Sequence, residues 1–196
     1  MDKVKVFEKE IEYIKNLNLI EPFKRMIELL PDYFFEEAAS TTGKYHPKFS
    51  LGLGGLARHT KVAVRIGYEL LNDPSIGDKY TSKEKDLMLI ALTLHDGLKC
   101  GLPKEKYTRT DHPLLICNHL KEHKDEIGLD IEDLEFICHV ISSHMGPWNT
   151  DYYTKEEILP KPEDKYQNFV HMCDYIASRR FLNVEFDSND NISEIE

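Results

Sequence analysis

Residues 87–99 read LMLIALTLHDGLK, an apolar run that ends directly in a histidine and an aspartate. A run that is apolar around the whole circumference of a helix is typical of a helix buried on every side. Gly97 stands just after the run, where a glycine commonly ends a helix. The sequence therefore predicts a buried helix over 82–94 that carries His95 and Asp96 into the interior of the fold.

An ionised carboxylate in the interior loses several kcal/mol of solvation unless it is paired or bound to a metal ion. Imidazole and carboxylate together suit Mn, Fe, Co, Ni or Zn, and the second oxygen of a carboxylate can bridge two ions. Two other side chains share the apolar stripes of predicted helices, His59 over 57–72 and Asp174 over 163–180. The sequence therefore predicts a divalent metal site at His59, His95, Asp96 and Asp174.

Apolar residues recur at helical spacing through most of the remaining chain, and strand patterns are scarce. The helix over 82–94 begins with an imperfect capping-box pattern at Ser82. At 196 residues the chain fits one domain, and no repeat or low-complexity linker divides it. We expect an all-α fold, a single helical bundle over residues 1–184. Further helices are predicted over 3–17, 21–30, 113–125 and 131–144.

The net charge of −10 argues against broad binding to a nucleic-acid backbone, which usually leaves a basic footprint. Residues 185–196, EFDSNDNISEIE, hold five acids and no basic residue. They predict a solvated acidic tail with the composition of a disordered segment. Without those five charges the preceding body carries −5, which leaves room for a positive mouth. Candidates for that mouth are Lys48, Arg58, Lys61, Lys104, Lys106 and Arg109.

No apolar run approaches the roughly 20 residues that cross a bilayer, and the N-terminus has no apolar core like that of a signal peptide. We therefore expect a cytoplasmic protein without a membrane partner. Four cysteines without a CxxC pair predict reduced thiols, mostly in the core: Cys100, Cys117, Cys138 and Cys173.

The order of His59, His95-Asp96 and Asp174 resembles the H...HD...D signature of the HD-domain superfamily of metal-dependent phosphohydrolases. LGLGGLARHT resembles that family's Gly-Gly-Leu-x-x-His helix entry, and LTLHDGLK its Leu-His-Asp-x-x-Lys segment. ISSHMG is similar to the Ser-His-His-Gly segment of two-metal members. The resemblance covers about residues 34–180. Together, the motifs GKYHP, ICHVISSHMG and HMCDYIASRR are most similar to the HD domains of bacterial 3′-to-5′ exoribonucleases and to short stand-alone HD proteins of phages and bacteria.

The resemblance implies ligands for a first metal ion at the four positions already singled out, with Asp96 also available as a bridge. It implies ligands for a second ion at His112 and His144. Met145 departs from the pattern, because two-metal relatives often have a histidine there and a thioether is a poor ligand for a hard ion. The second site stays open: it is weak, completed by water or a substrate phosphate, or absent.

The implied reaction is hydrolysis of a phosphomonoester or phosphodiester by a metal-activated water, in a nucleotide or a short single-stranded nucleic acid. Asp96 would hold the metal and help orient the water, and Lys99 resembles the family's phosphate-binding lysine. Lys44 and His46 lie in a turn-rich loop over 40–55, where they would contact phosphate or base. Neither the particular ester nor the oligomeric state is indicated by the sequence.

Other interpretations remain open. A single histidine is more often a hydrogen-bonded core residue than a ligand. His119 and His123, four apart among polar neighbours, indicate a solvated helix face. Trp148, Tyr152 and Tyr153 could stack on a nucleobase, but such aromatic residues more commonly indicate a packed loop. The Met145 departure also leaves a second function open, a catalytically silent nucleotide-sensing or partner-binding HD module, and beyond it a purely structural helical domain.

Overall fold

The computed structural model describes residues 1–40, 43, 46–151 and 153–193. Within these ranges the chain is all-α, as predicted, and extended pairing is confined to two isolated bridges, Thr150–Glu157 and Phe186–Ile192. Among the described helices, none has both the length and the apolar character needed to cross a membrane. The α-helices are α1 (Lys3–Val6), α2 (Glu8–Glu12), α3 (Leu17–Glu28), α4 (Gly55–Asn72), α5 (Pro74–Gly77), α6 (Ser82–Leu94), α7 (His112–Glu122), α8 (Lys124–Ile127), α9 (Ile131–Ser142) and α10 (Lys165–Ala177).

Helix α6 lies at the centre of the bundle, packed against α4, α9 and α10. Every residue from Asp86 to Leu94 is buried, which agrees with the apolar pattern. The capping box lies one residue before the predicted position. The Thr81 hydroxyl accepts a hydrogen bond from the backbone N–H of Glu84, and the Glu84 carboxylate accepts one from the N–H of Thr81. Ser82 is consequently the first helical residue rather than the cap.

Helix α4 starts where the chain passes close to the short 3₁₀ helix Lys48–Ser50. A Cβ atom on Gly55 would lie 2.3 Å from the Ser50 carbonyl oxygen, so only glycine permits this approach. The close contact fixes the first turn of α4 against the preceding loop. It thereby sets the position of His59, which lies one turn into the helix.

The two opening helices differ from their predicted bounds. The stretch predicted as one helix over 3–17 is divided into α1 and α2 at Phe7, whose side chain is fully buried. Helix α3 starts at Leu17 because the Asn16 side chain accepts from the N–H of Asn18. The Asp86 carboxylate of α6 accepts from the N–H groups of Lys15 and Asn16, so a long-range contact holds the break.

Residues 185–193 differ from the solvated tail that their composition predicts. The Asp190 carboxylate pairs with Arg58 at 3.1 Å, and Lys61 donates to the Asp190 carbonyl and the Asn191 side chain. Phe186 and Ile192 pack against the core. The acidic segment folds back because two basic residues of α4 face it. Residues 194–196 lie outside the described part of the chain.

A buried acid in α2 shares the environment of Lys61. Glu10 is almost fully enclosed, and within the described ranges its Oε2 atom makes no hydrogen bond. Burial outweighs the attraction of Lys61 and raises the pKa of Glu10 from 4.5 to about 7. The folded protein therefore keeps a proton that the unfolded chain releases.

The stability of the wild-type protein should fall as pH rises, because the buried Glu10 side chain resists losing its proton. Glu10→Gln has no such proton and should not show this loss. Between the unfolded and folded pKa values the native state binds more protons, so its free energy of unfolding falls with increasing pH. The shift corresponds to about 3 kcal/mol, lost progressively up to about pH 8. The free energy of unfolding is measured with denaturant at about pH 5 and about pH 8, with chelator present. The value for Glu10→Gln minus that for wild type should be larger at the higher pH.

The matched control is Glu8→Gln, since Glu8 lies on the exposed side of the same helix. An equal stability difference between Glu10→Gln and wild type at both pH values would show that the folded protein does not retain this proton.

Candidate metal centre

Five segments of the bundle bring histidines and aspartates to one buried place. His59 belongs to α4, His95 follows α6, and Asp174 lies in α10. His112 begins α7, and His144 follows α9. All four histidines are buried, and each segment packs against at least one of the others. The structure therefore assembles all the sequence-predicted metal residues, including the pair about which the sequence left the question open.

A first group is formed by His59, His95 and Asp174. Nε2 of His59 lies 2.9 Å from Asp174 Oδ1, and Nε2 of His95 lies 3.4 Å from the same oxygen. The ligand atoms of these three residues all lie within 4.8 Å of one another. Asp96 Oδ2 is 3.6 Å from the His95 nitrogen and 4.0 Å from the His59 nitrogen. One ion could contact all four side chains.

The other oxygen of Asp96 faces a second group. Its Oδ1 atom lies 2.9 Å from His112 Nε2 and 3.7 Å from His144 Nε2. The two imidazole nitrogens are 3.2 Å apart. The carboxylate of Asp96 thus stands between two histidine-rich groups, with one oxygen toward each. That is the placement needed for a bridging ligand.

Three of the histidines are oriented by the backbone in the same way. Nδ1 of His95 donates to the Leu92 carbonyl, and Nδ1 of His144 donates to the Ile141 carbonyl. His112 likewise donates to the carbonyl of the residue three positions earlier. Because a carbonyl oxygen only accepts, Nδ1 carries the proton and Nε2 of the neutral ring keeps a lone pair. A backbone partner of this kind is typical of metal-binding histidines.

The arrangement of these lone pairs fits a divalent cation. Among the described residues, Nε2 of His95 has no hydrogen-bond partner although it is completely buried. The facing Nε2 atoms of His112 and His144 would repel each other if both rings were neutral and nothing positive lay beside them. A cation accepts all three lone pairs, and a set of imidazole and carboxylate donors suits Mn, Fe, Co, Ni or Zn.

The electrostatics also require positive charge at this place. Burial opposes ionisation of Asp96, but the nearby Lys99 ammonium opposes this effect most strongly, and the pKa of the carboxyl lies well below its usual range. Asp174 is half-buried, and the hydrogen-bonded imidazole of His59, 2.9 Å from its Oδ1, lowers the pKa of its carboxyl strongly. Both carboxylates are therefore charged at neutral pH. Burial lowers the pKa of His144 to about 4, so this ring is neutral at the same pH and able to bind an ion.

All of these residues except the fully buried His95 line a cleft of about 520 Å³. Lys99 enters it from the turn after α6, and its Nζ lies 2.5 Å from Asp96 Oδ2. His46 enters it from the loop before α4, with its ring 5.9 Å from that of His59. Two of the three predicted substrate-binding residues therefore face the cleft. The third, Lys44, lies outside the described residues.

The basic residues that the sequence suggested for a positively charged cleft entrance lie elsewhere. Arg58 and Lys61 hold residues 190–191, Lys104 pairs with Glu37, and Arg109 pairs with Asp111. None of these four basic residues lines the cleft. The basic side chains along the described part of its wall are Lys99 and Arg179.

The histidines outside the predicted set have different surroundings. His139 is half-exposed and lies 2.6 Å from Asp164, and His119 approaches the Leu29 carbonyl. His171 lines the cleft and donates from Nδ1 to the His144 carbonyl at 2.6 Å. The position of His171 close to the motif residues indicates either a supporting contact to a metal-site residue or a packing role, and this particular contact crosses from α10 to the end of α9. The spacing of the two residues in the sequence gives no sign of it.

Comparison with known proteins gives a family and distant relatives. The sequence model described as HD domain matches residues 55–179 of this chain. The 3′-5′ exoribonuclease YhaM of Listeria monocytogenes is 26% identical over 141 residues in serotype 4b strains CLIP80459 and F2365 and in serovar 1/2a strain EGD-e. The alignment covers 68% of this chain but 42% of each relative. No solved structure matches significantly.

Divalent ions should raise the melting temperature of the protein through this group of residues. An ion that binds only the folded state contributes about 2.7 kcal/mol at a hundred times its Kd. His59→Ala and Asp174→Ala should lose most of the rise that Mn²⁺ or Ni²⁺ gives to wild type. Each variant is compared with its own chelator-treated sample by thermal denaturation.

His139→Ala is the matched control for loss of an imidazole, since His139 lies outside the cleft. It should show the wild-type rise. A rise of wild-type size in His59→Ala and Asp174→Ala would place the ion elsewhere.

Proposed function

This chain belongs to the HD domain family, and we propose that it is a metal-dependent phosphohydrolase acting on a nucleotide or a short single-stranded nucleic acid. The family match confirms the resemblance inferred from the order of the histidines and aspartates. HD domains are in general metal-dependent hydrolases. The matched range contains every residue of the two groups around Asp96.

The observation that carries the proposal is the convergence of imidazole lone pairs and charged carboxylates on the floor of an open cleft. We assign His59, His95, Asp96 and Asp174 to a first ion. We assign His112 and His144, with the second oxygen of Asp96, to another. When bound, such ions activate water and withdraw charge from a phosphoryl group.

Three side chains of the protein would assist the attack on phosphorus and the binding of the substrate. The ammonium of Lys99 reaches the cleft beside Asp96 and would pair with phosphoryl oxygens as negative charge gathers on them. Asp96 orients the attacking water toward phosphorus. His46 lies near His59, and burial lowers its pKa to about 4, so a neutral ring would contact the phosphate or the base.

The charge of the chain and the activity of the relatives support this substrate class. A net charge of −10 disfavours a long duplex, whose binding depends on neutralising many phosphates. A cleft of about 520 Å³ matches a nucleotide-sized ligand. The relatives named above are 3′-5′ exoribonucleases, which motivates single-stranded ends as substrates. Because this chain spans about two fifths of their length, their activity enters here only as a proposal.

A second candidate function is a nucleotide-sensing or partner-binding module without turnover. Met145 lines the cleft directly after His144, where two-metal relatives often have a histidine. A thioether at this position would weaken the second ion. If hydrolysis requires both ions, the protein would bind nucleotides and release them unchanged.

Mn²⁺-loaded protein should hydrolyse at least one phosphoester in a panel of nucleotides, cyclic dinucleotides and short single strands. Asp96→Ala should abolish turnover, because it removes the residue shared by both groups. Lys99→Ala should lower kcat by about 10²- to 10³-fold, the usual cost of losing one group that stabilises transition-state charge. Release of phosphate or of a shortened strand is measured directly.

Lys121→Ala is the matched control, since Lys121 pairs with Glu135 on the outer side of α7 and α9. Saturable nucleotide binding without any product would favour the sensing module. Wild-type rates in Asp96→Ala would exclude this cleft as the site of reaction.

A further inference from the structure

Two aromatic side chains are exposed at the mouth of the cleft. Trp148, in the turn after α9, is 52% exposed, and Tyr175, in α10, is 39% exposed. Their rings are nearly parallel, with centroids 5.8 Å apart and an interplanar angle of 12°. Both residues line the cleft. A stacked aromatic pair that opens onto a cleft leaves apolar π surface in water, and a flat ligand could cover it.

An arginine holds this pair in place. The guanidinium carbon of Arg179 lies 4.0 Å from the centroid of the Tyr175 ring, in cation–π contact. Nε of Arg179 donates to the Tyr175 carbonyl at 3.0 Å. The side chain also donates to the Ser178 hydroxyl at 2.7 Å. The contacts fix Tyr175 against its own helix and bring a positive charge to the wall of the cleft.

The aromatic pair lies on two of the five segments that carry the metal-site residues. Trp148 follows His144 by four residues, and Tyr175 is adjacent to Asp174. His171 joins the segments, since it donates to the His144 carbonyl and its ring lies 6.4 Å from that of Trp148. Gly146 has a φ of +58°, and a Cβ atom on it would lie 2.2 Å from the His171 ring. The turn from His144 to Trp148 is therefore packed in a single arrangement.

We propose that Trp148, Tyr175 and Arg179 form a nucleobase-binding platform beside the metal residues. The base would stack on the exposed part of Trp148 while its phosphoester faces Lys99 and Asp96. The inference rests on the proposed function and deepens it by naming the group that distinguishes substrate from other phosphoesters. A nucleobase fits because every base has a π face, and because aromatic rings together with arginine are the usual platform for unpaired bases.

The source of the base is either a free nucleotide or the end of a single strand, and both present the same chemistry to the platform. Stacking of one base on an aromatic side chain contributes about 1–3 kcal/mol, which corresponds to about 5- to 150-fold in affinity. The preference does not depend on which base is bound, since it arises from the π face. Esters that lack a base should therefore bind more weakly by this factor.

Trp148 is the single tryptophan of the chain, so tryptophan fluorescence, excited at a wavelength that tyrosine does not absorb, reports on the platform. AMP and a short oligoadenylate should quench this fluorescence saturably. Rapid mixing in a stopped-flow instrument records the quenching before hydrolysis can change the ligand. Ribose 5-phosphate, which has no base, should not quench the fluorescence at the same concentration. Tighter binding of the oligoadenylate would identify a strand end as the source, and equal binding a free nucleotide. Equal effects of AMP and ribose 5-phosphate would overturn the proposal.

Variants give a second readout that does not depend on fluorescence. By calorimetry on the Mn²⁺-loaded protein, Trp148→Ala should weaken AMP binding by about 5- to 150-fold. Its binding of ribose 5-phosphate should stay unchanged. Trp148→Phe keeps a stacking ring and should restore most of the affinity for AMP. Phe181→Ala is the matched control, since Phe181 is 81% exposed but lies outside the cleft.

If Trp148→Ala weakened the binding of AMP and of ribose 5-phosphate by the same factor, Trp148 would only support the fold. That result would overturn the platform. The two proposals fail separately. A protein that binds AMP through Trp148 but hydrolyses no ester overturns the proposed function and leaves the platform. A protein that hydrolyses phosphoesters without any advantage for those that carry a base overturns the platform alone.

Discussion

The charge of Asp96 is the constraint around which the bundle is arranged. Its side chain is 2% exposed, at the end of a helix that is buried along most of its length. A carboxylate in this position is stable only with positive partners, and removing one partner of a buried pair commonly costs about 3–5 kcal/mol. Lys99 lies against one of its oxygens, and His112 against the other. The other residues assigned to the metal site come from helices that pack on α6 or on its neighbours.

In this arrangement the packing of the helices and the local backbone orient the side chains of the metal site. Each of His95, His112 and His144 donates from Nδ1 to a carbonyl three residues earlier, so local backbone geometry orients Nε2. Within the described residues, Nε2 of the fully buried His95 also has no hydrogen-bond partner. A cation bound there would meet ligands that need little reorganisation. The open cleft lies on the other side of the same residues, and Lys99 and Arg179 bring its positive charge.

The sequence predicted those parts of the molecule that depend on local pattern. The bounds of α6 were predicted correctly, because an apolar run and a terminal glycine are local signals. His59 and Asp174 were recognised because each shares an apolar stripe on its own helix. Their proximity to His95 agrees with that interpretation, with His59 buried and Asp174 half-buried. Their roles as ligands remain a prediction that awaits a metal measurement.

What the sequence did not predict depends on contacts between distant segments. The break before α3 is held by Asp86, some seventy residues away, and residues 185–193 fold back because Arg58 and Lys61 face them. The stacking of Trp148 on Tyr175 likewise joins two elements whose sequence spacing carries no signal. Composition alone therefore favoured a solvated tail and a packed loop where the structure has specific contacts.

The most direct test of this account is a crystal grown with Mn²⁺, in which anomalous scattering locates the ion independently of any activity. We predict a strong peak between the Nε2 atoms of His59 and His95 and the carboxylates of Asp96 and Asp174. A structure in which these four side chains surround no peak, or in which the ion binds only elsewhere, would contradict the account.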